Sequence, residues 1–420
     1  MERRSVPEYS LKYGESEVKF TLPEGLETYI IEPNSVSPLE NVEEHVYQAA
    51  WRLREIVKPG RKIALIADDI TRPTPTWQIL PPLLNAFNKM GVPDRDIRLI
   101  VALGTHRAMR EDELRKKYGE ALERVEVVQP DFRDPAKLVK MGVMPNGSPI
   151  EVNTEIGRSD LAIGVGMITP HHVAGFSGGS KIILPGVSGE KTVGEFHLLS
   201  ARLRRSFLGS ERNQVRDLMD LVAERAKLRG LLDVVVDGRG RVTWVGAGSF
   251  QEVYREGVKE ARRVYEVKAP GNLDLVIASS YPADIEFWQA HKSIFPADMI
   301  LRDGGTLILV TPCPEGVAQT HPEVVELTGL TPQEIDERVK TGKTKDPVGA
   351  ANSMVWSKIR SRIKIVIVSD GIKEEEARSM GFQWSSSLQE AVNQELKRFN
   401  KPRIAILKNA PELLPKIEES

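Results

Sequence analysis

The stretch Pro59-Gly60-Arg61-Lys62-Ile63-Ala64-Leu65-Ile66-Ala67-Asp68-Asp69-Ile70-Thr71-Arg72-Pro73, residues 59–73, is a short apolar run entered from a turn and left through a charged loop. An apolar run of that length without polar alternation reads as a strand buried on both faces, the condition of a strand inside a parallel sheet. The same grammar then repeats. Thr76 to Met90 reads as helix, with Pro81-Pro82 expected to delay or kink it, and Ile97 to Leu103 (IRLIVAL) as the next buried strand, ending in Gly104-Thr105-His106-Arg107. A third strand, Asp160 to Met167 (DLAIGVGM), opens into Thr169-Pro170-His171-His172. Strand, polar loop, helix, strand is the order of an open α/β sheet, in which ligands gather outside the carboxyl ends of the strands.

Before this series, Val18 to Pro33 alternates and suggests short strands broken at Pro23-Glu24-Gly25, and Asn41 to Val57 reads as helix. After it, Arg202 to Gly230 reads as helix with Arg202, Arg204, Arg205 and Arg212 on a solvated face; Gly238-Arg239-Gly240 turns a valine-rich hairpin, and Phe250 to Val264 is a charged helix. Lys268-Ala269-Pro270-Gly271 punctuates a change of unit. Beyond it α/β alternation restarts, with strands at Leu273–Ser279, Gly305–Thr311, Ile363–Ser369 and Arg403–Leu407, and helices around Ile285–Met299, Thr331–Thr341 and Val348–Arg360. The expected fold class is therefore α/β, two domains with mainly parallel sheets and an active-site cleft between them. Residues 1–265 form the amino-terminal domain, 270–400 the carboxy-terminal one, and 401–420 a segment returning toward the interdomain region.

The chain has 420 residues, enough for two or three domains of the usual ~100–200 residues, and its 40% hydrophobic and 28% charged content is globular. Its 58 Lys plus Arg against 59 Asp plus Glu leave a formal charge of −1, so no global field draws it to nucleic acid or an anionic membrane. A single cysteine, Cys313, rules out an internal disulfide or a cysteine-rich metal site and suits a reducing cytoplasm. Met1 to Thr21 lacks the apolar core of a signal peptide, and no run reaches the ~18 apolar residues of a membrane span, so a soluble cytoplasmic protein is expected. Of the seven histidines, His106, His171, His172 and His197 fall in or beside glycine-, threonine- and lysine-bearing stretches.

Gly175-Phe176-Ser177-Gly178-Gly179-Ser180-Lys181 has the composition of a phosphate cradle, yet Ser180-Lys181-Ile182 departs from the Gly-Lys-Ser/Thr of a nucleotide-hydrolysing loop. Gly164-Val165-Gly166 lies inside a strand and lacks the third glycine of a dinucleotide fingerprint. The stretch reads either as backbone brought close to an anionic guest or as a flexible turn with an ordinary lysine. His171, His172 and His197 are possible metal ligands or satisfied polar histidines; adjacent histidines in an extended segment point to opposite sides and seldom share an ion. The Asp68-Asp69-x-Thr71-Arg72-Pro73 and Gly104-Thr105-His106-Arg107 loops serve either as caps or, with the third strand end, as one shared site of ionisable groups.

Asp69-x-Thr71-Arg72-Pro73, Gly104-Thr105-His106-Arg107, His171-His172-Val173-Ala174-Gly175-Phe176-Ser177-Gly178-Gly179-Ser180-Lys181, Pro185-Gly186, His197 and Gln289-x-x-Lys292 together resemble the nickel-dependent lactate racemase family. The order and gaps, ten residues from His171 to Lys181 and sixteen from Lys181 to His197, are similar to the family's. The resemblance implies a nickel-pincer nucleotide, a pyridinium-3-thioamide-5-thiocarboxylic acid mononucleotide, covalently attached to Lys181 and holding nickel with His197 as the protein's ligand. It implies cofactor contacts from Asp69, Thr71, Arg72, Gly178 and Gly179, acid/base roles for His106 and His171, and grip on carboxylate and developing charge by Arg72, Lys292 and Gln289. The implied reaction is racemisation or epimerisation of a 2-hydroxy acid, with cofactor-maturation proteins as partners. Alternatives are a non-catalytic member that binds a mononucleotide, or a sugar-phosphate or nucleotide enzyme using the glycine-rich stretch alone. His172 competes with His171 for the acid/base role, although the Lys181 spacing favours His171. His291 reads as incidental, Glu286 as a solvated carboxylate and Cys313 as a packed thiol.

Overall fold

Every residue from Ile63 to Ala67 is buried, and the strand they form, Ile63–Asp68, hydrogen-bonds in parallel to Ile97–Ala102 on one side and to Leu161–Met167 on the other. A strand paired on both edges and covered on both faces has no use for polar alternation, which is why its sequence shows none. The computed structural model describes residues 7–418. In it the first sheet runs, edge to edge, Val242–Gly248, Leu228–Val236, Leu161–Met167, Ile63–Asp68, Ile97–Ala102, Glu126–Val128. Only Val242–Gly248 is antiparallel to its neighbour. The chain moves outward from 63–68 to 97–102 and 126–128, then returns to the opposite side of 63–68 to lay down 161–167. That reversal makes the carboxyl ends of 63–68 and 161–167 a topological switch point, the place where an open α/β sheet leaves a crevice for a ligand.

The helix Thr76–Lys89 covers this sheet with Ile79, Leu80, Leu83, Leu84 and Phe87, and Pro81 and Pro82 lie inside it without ending it. The expected helix from Arg202 to Gly230 is corrected. A helix Glu190–Leu203 ends first, and a new one, Gln214–Arg225, starts where the Asn213 side chain caps the Arg216 amide at 2.9 Å. Leu228 to Gly230 already belong to a strand. A left-handed Gly209 (φ 76°) and the Asn213 cap are the local reasons for the break.

The second sheet is wholly parallel, in the order Gln383–Ser385, Lys364–Val368, Leu301–Val310, Leu273–Ser279, Ile404–Leu407, Thr28–Ile31. Its edge strand comes from the amino terminus. The hairpin Glu8–Tyr13/Ser16–Thr21 buries Leu11 and Phe20, with Leu22 just beyond it, in one core with Leu275, Ile308 and Val366. The two compact units are therefore residues 35–200 with 209–264, and the described residues up to Asn34 with 201–208 and those from Tyr265 onward. A linear division at 265/270 leaves out this exchange, because edge pairing joins residues nearly 400 positions apart. The last segment is part of the second unit: Ile404–Leu407 lies inside its sheet, and Leu414–Ile417 pairs with Glu266–Ala269.

Candidate active site

The loop that leaves strand 63–68 is built around a buried carboxylate. Asp69 accepts hydrogen bonds from the Thr71 hydroxyl at 2.6 Å and the Thr71 amide at 3.2 Å, and His106 Nδ1 lies 2.6 Å from its other oxygen. Burial pushes the Asp69 carboxyl up, but His106, Arg72 and Thr71 outweigh that and hold it below the usual carboxylate range. A carboxylate so held fixes the proton of His106 on Nδ1 and leaves Nε2 as the acceptor nitrogen. Thus Asp69, Thr71, Arg72 and His106, taken from two strand ends, come together. The backbone beneath them is pinned by residues the sequence did not bring forward. Lys117, buried on the neighbouring helix, donates to the carbonyls of Arg72 at 2.6 Å and Thr74 at 2.8 Å, and the Tyr118 hydroxyl donates to Asp68 O at 3.0 Å. Burial lowers the Lys117 pKa to about 8 against the opposing pull of Asp68 and Asp69.

At the end of strand 161–167, His171 closes the short strand Pro170–His171 and the chain turns at once. The rings of His171 and His172 consequently stack, centroids 4.9 Å apart and 19° between planes, instead of pointing to opposite sides as an extended pair would. His171 Nδ1 accepts the amides of Val173 at 3.2 Å and Ala174 at 3.4 Å. Backbone N–H groups can only donate, so in the neutral ring the proton sits on Nε2, the reverse of His106. Both His171 and His172 are buried.

The glycine-rich turn follows. Gly178 has φ 70°, and a Cβ there would lie 2.5 Å from Ile168 Cγ1 and 2.8 Å from Asp233 Oδ2. The anionic group that this backbone meets is the protein's own: Gly179 N–H donates to Asp233 Oδ2 at 2.9 Å. Asp233, mid-strand in 228–236, faces Asp68 across Gly166, whose Cβ would lie 3.2 Å from one carboxylate and 3.3 Å from the other. Burial raises the Asp233 pKa to about 7; the Gly179 amide opposes the rise, and Asp68 adds to it. Lys181, three residues beyond Gly178, is partly buried, and its Nζ makes no hydrogen bond or ion pair among the described residues. Burial, then the Arg72 and Arg216 guanidiniums, lower its pKa to about 7, while Asp68 and Asp69 pull the other way.

His197 sits on the helix Glu190–Leu203, its ring edge-on to Phe196 with centroids 4.7 Å apart. Among the described residues no group of three or more His, Cys, Asp or Glu side chains could by itself hold a metal ion. Gln289 and Lys292 belong to the other unit, in the helical segment after strand 273–279, and Lys292 Nζ donates to Gln289 Oε1 at 2.5 Å. His291 lies among Trp288, Phe295 and Trp356, where burial drives its pKa down to about 3. Cys313 is buried, which raises its thiol well above the ordinary range. Sequence reasoning missed Asp233, Lys117 and Arg216. Asp233 had a signal, a lone carboxylate inside the apolar run Leu231 to Val236; Lys117 and Arg216 had none, each being one cation on an amphipathic helix.

No helix among the described residues is long and apolar enough to cross a membrane. Family models for the lactate racemase N-terminal domain and the lactate racemase C-terminal domain match residues 13–209 and 268–410. The lactate racemase of Lactiplantibacillus plantarum is 29% identical over 378 residues, covering 87% of this chain and 88% of that protein. The lactate racemase of Thermoanaerobacterium thermosaccharolyticum is 26% identical over 396 residues, covering 91% and 92%. The structure of the lactate racemase apoprotein from Thermoanaerobacterium thermosaccharolyticum superposes with a TM-score of 0.84 at 25% identity, over 98% of this chain and all (100%) of that one. A Thermotoga maritima protein shares the fold, with a TM-score of 0.75 at 19% identity over 92% of this chain and 100% of that one.

Proposed function

Because the chain belongs to the lactate racemase family, we propose that it racemises a 2-hydroxy acid, lactate or a close relative, with a nickel-pincer nucleotide attached to Lys181. The observation that carries the attachment is the state of Lys181. A lysine amine acylates only when neutral, and burial with the neighbouring Arg72 and Arg216 guanidiniums lowers this one to about 7, with no hydrogen-bond or ion-pair partner for it among the described residues. The donor set also fits. His197 would hold the cofactor's nickel as a single imidazole, a donor that suits Ni(II), and among the described residues no group of three or more His, Cys, Asp or Glu side chains could hold the metal unaided.

When bound, the cofactor supplies a centre that accepts and returns hydride at the carbinol carbon by way of a planar 2-keto acid. The chain's own residues handle the rest. Racemisation needs the hydroxyl proton removed on one side and restored on the other, so it needs one group poised as base and one as acid. His106, with Nδ1–H held by Asp69, offers Nε2 as a base and, once protonated there, as an imidazolium acid; His171, whose Nδ1 accepts two backbone amides, presents Nε2 as the second acid/base position. In the opposite direction they exchange roles. Arg72 is the fork for the substrate carboxylate, with Lys292 and Gln289 as further donors to carboxylate and developing charge. Thr71 and Asp69 act by orienting His106. Gly178 and Gly179 shape the turn that carries Lys181. Cofactor-maturation proteins would be required partners, and the single buried Cys313 suits a reducing cytoplasm.

The test is to produce the protein together with cofactor-making proteins. The expected result is a cofactor-sized adduct mapping to Lys181, nickel close to one per chain, and interconversion of 2-hydroxy acid enantiomers by chiral chromatography. A preparation from that host lacking both adduct and nickel refutes the reading.

A further inference from the structure

The buried guanidinium of Arg216, on the helix Gln214–Arg225, reaches the turn that carries Lys181 at several points. Nη1 donates to Gly178 O at 3.2 Å and to Ser180 Oγ at 3.2 Å; Nη2 donates to Phe176 O and lies 3.5 Å from Ala174 O. The face of the guanidinium rests on the Tyr254 ring, 4.1 Å from its centroid. No carboxylate is paired with it by an ion pair among the described residues, although Ser180, one of its acceptors, donates in turn to Asp220 at 2.5 Å. The acceptors that hold this buried guanidinium are three backbone carbonyls and one hydroxyl. Four attachments spread over residues 174–180 are also far more than one helix contact requires.

We propose that Arg216 is a positioning residue for Lys181: it holds the turn that carries the lysine and sets a permanent cation within electrostatic reach of its amine. The groups acting on that amine are the cations Arg72 and Arg216, which disfavour its protonated form, and the carboxylates Asp68 and Asp69, which favour it. Arg72 belongs to a loop that the substrate is proposed to occupy. Arg216 is locked into the protein from both sides, so its effect on Lys181 is present before cofactor or substrate arrives. The inference rests on Lys181 being the attachment residue, but the measurement that tests it does not.

In full-length apoprotein, made without the cofactor pathway, acetic anhydride labelling of Lys181 followed by peptide mass spectrometry across pH reads the fraction of neutral amine. Wild type is expected to show a midpoint about 7. Arg216→Gln raises the midpoint by about one unit, which is roughly tenfold less labelling on the protonated limb. Arg216→Lys keeps a cation but cannot bridge the same acceptors. Its midpoint stays near that of wild type, while amide exchange across 174–181 accelerates severalfold. An unmoved midpoint in folded Arg216→Gln overturns the proposal, as does an ordinary lysine midpoint near 10 in wild type. If Arg216→Gln does not fold, Arg216→Lys decides: unchanged exchange across 174–181, or a midpoint displaced to the ordinary range, overturns it. Failure of the nickel-pincer reading would show elsewhere, as missing adduct and nickel in the holoprotein, with apoprotein labelling unaffected.

Discussion

His106 and His171 are both held by the protein at Nδ1, one as donor and one as acceptor, and in each that leaves Nε2 as the nitrogen for proton transfer. Asp69 accepts the Nδ1–H of His106, whereas the Val173 and Ala174 amides occupy the Nδ1 lone pair of His171. Lys181 is tuned through burial and neighbouring charge, and the tuning has a measurable cost. Its folded pKa is about 7 against the ordinary lysine value of 10.5, so between those values the unfolded chain binds more protons and stability rises with pH. Below pH 7 both states are protonated and the penalty for burying the cation is present in full; near 10.5 it has gone. Lys181→Met apoprotein is therefore expected to be more stable than wild type by roughly 2 kcal/mol at about pH 6, allowing for the amine's partial exposure. That advantage should shrink steadily as pH rises to about 10, measured by urea denaturation of both proteins at each pH. A constant difference across the range would mean that Lys181 is not strained as a cation.

The element that carries Lys181 is a turn closed on the protein's own groups, and it tolerates little. Gly178 combines a left-handed φ of 70° with a Cβ direction blocked at 2.5 Å by Ile168 and at 2.8 Å by Asp233. Gly178→Ala is expected to cost about 2–3 kcal/mol, from backbone strain plus overpacking, and to lower the fraction of chains bearing an adduct at Lys181. Urea denaturation and intact mass read the two effects separately. At this scale the sequence was legible wherever burial is two-sided. The strands at 63–68, 97–102 and 161–167 are recognisable because their interiors are almost wholly apolar, and their charged ends mark the candidate site because a strand's carboxyl end is where a loop can carry ionisable groups. What escaped depends on direction in space. The stacking of His171 on His172 follows from a turn that begins one residue after a two-residue strand, and the hold of Arg216 depends on which helix face meets the turn. Neither leaves a periodic trace.

Across the whole chain the same device occurs twice. In the first sheet the switch point lies between strands 63–68 and 161–167, and the loops after them supply Asp69, Arg72, His171 and Lys181. In the second, the chain runs outward from 273–279 through 301–310, 364–368 and 383–385, then returns on the other side of 273–279 with 404–407. Gln289 and Lys292 follow the strand at that reversal. The fold thus puts the predicted site residues of each unit after a strand where its topology opens a crevice. The second sheet is completed by the amino-terminal strand Thr28–Ile31, and its core by the hairpin before it, so residues far apart in sequence must fold as one unit. Phe20, 2% exposed and stacked on Tyr9 at 5.6 Å, is the test of that arrangement. Truncating it should cost about 3–5 kcal/mol, the usual range for Phe→Ala in a core. Native-state hydrogen exchange on Phe20→Ala should show lost protection in strands 273–279, 301–310 and 404–407, while amides of 63–68 and 161–167 keep theirs. Equal loss in both sheets would mean that the amino-terminal hairpin is not specific to the second unit's core. Protection unchanged in the second would mean that its stability does not depend on the hairpin.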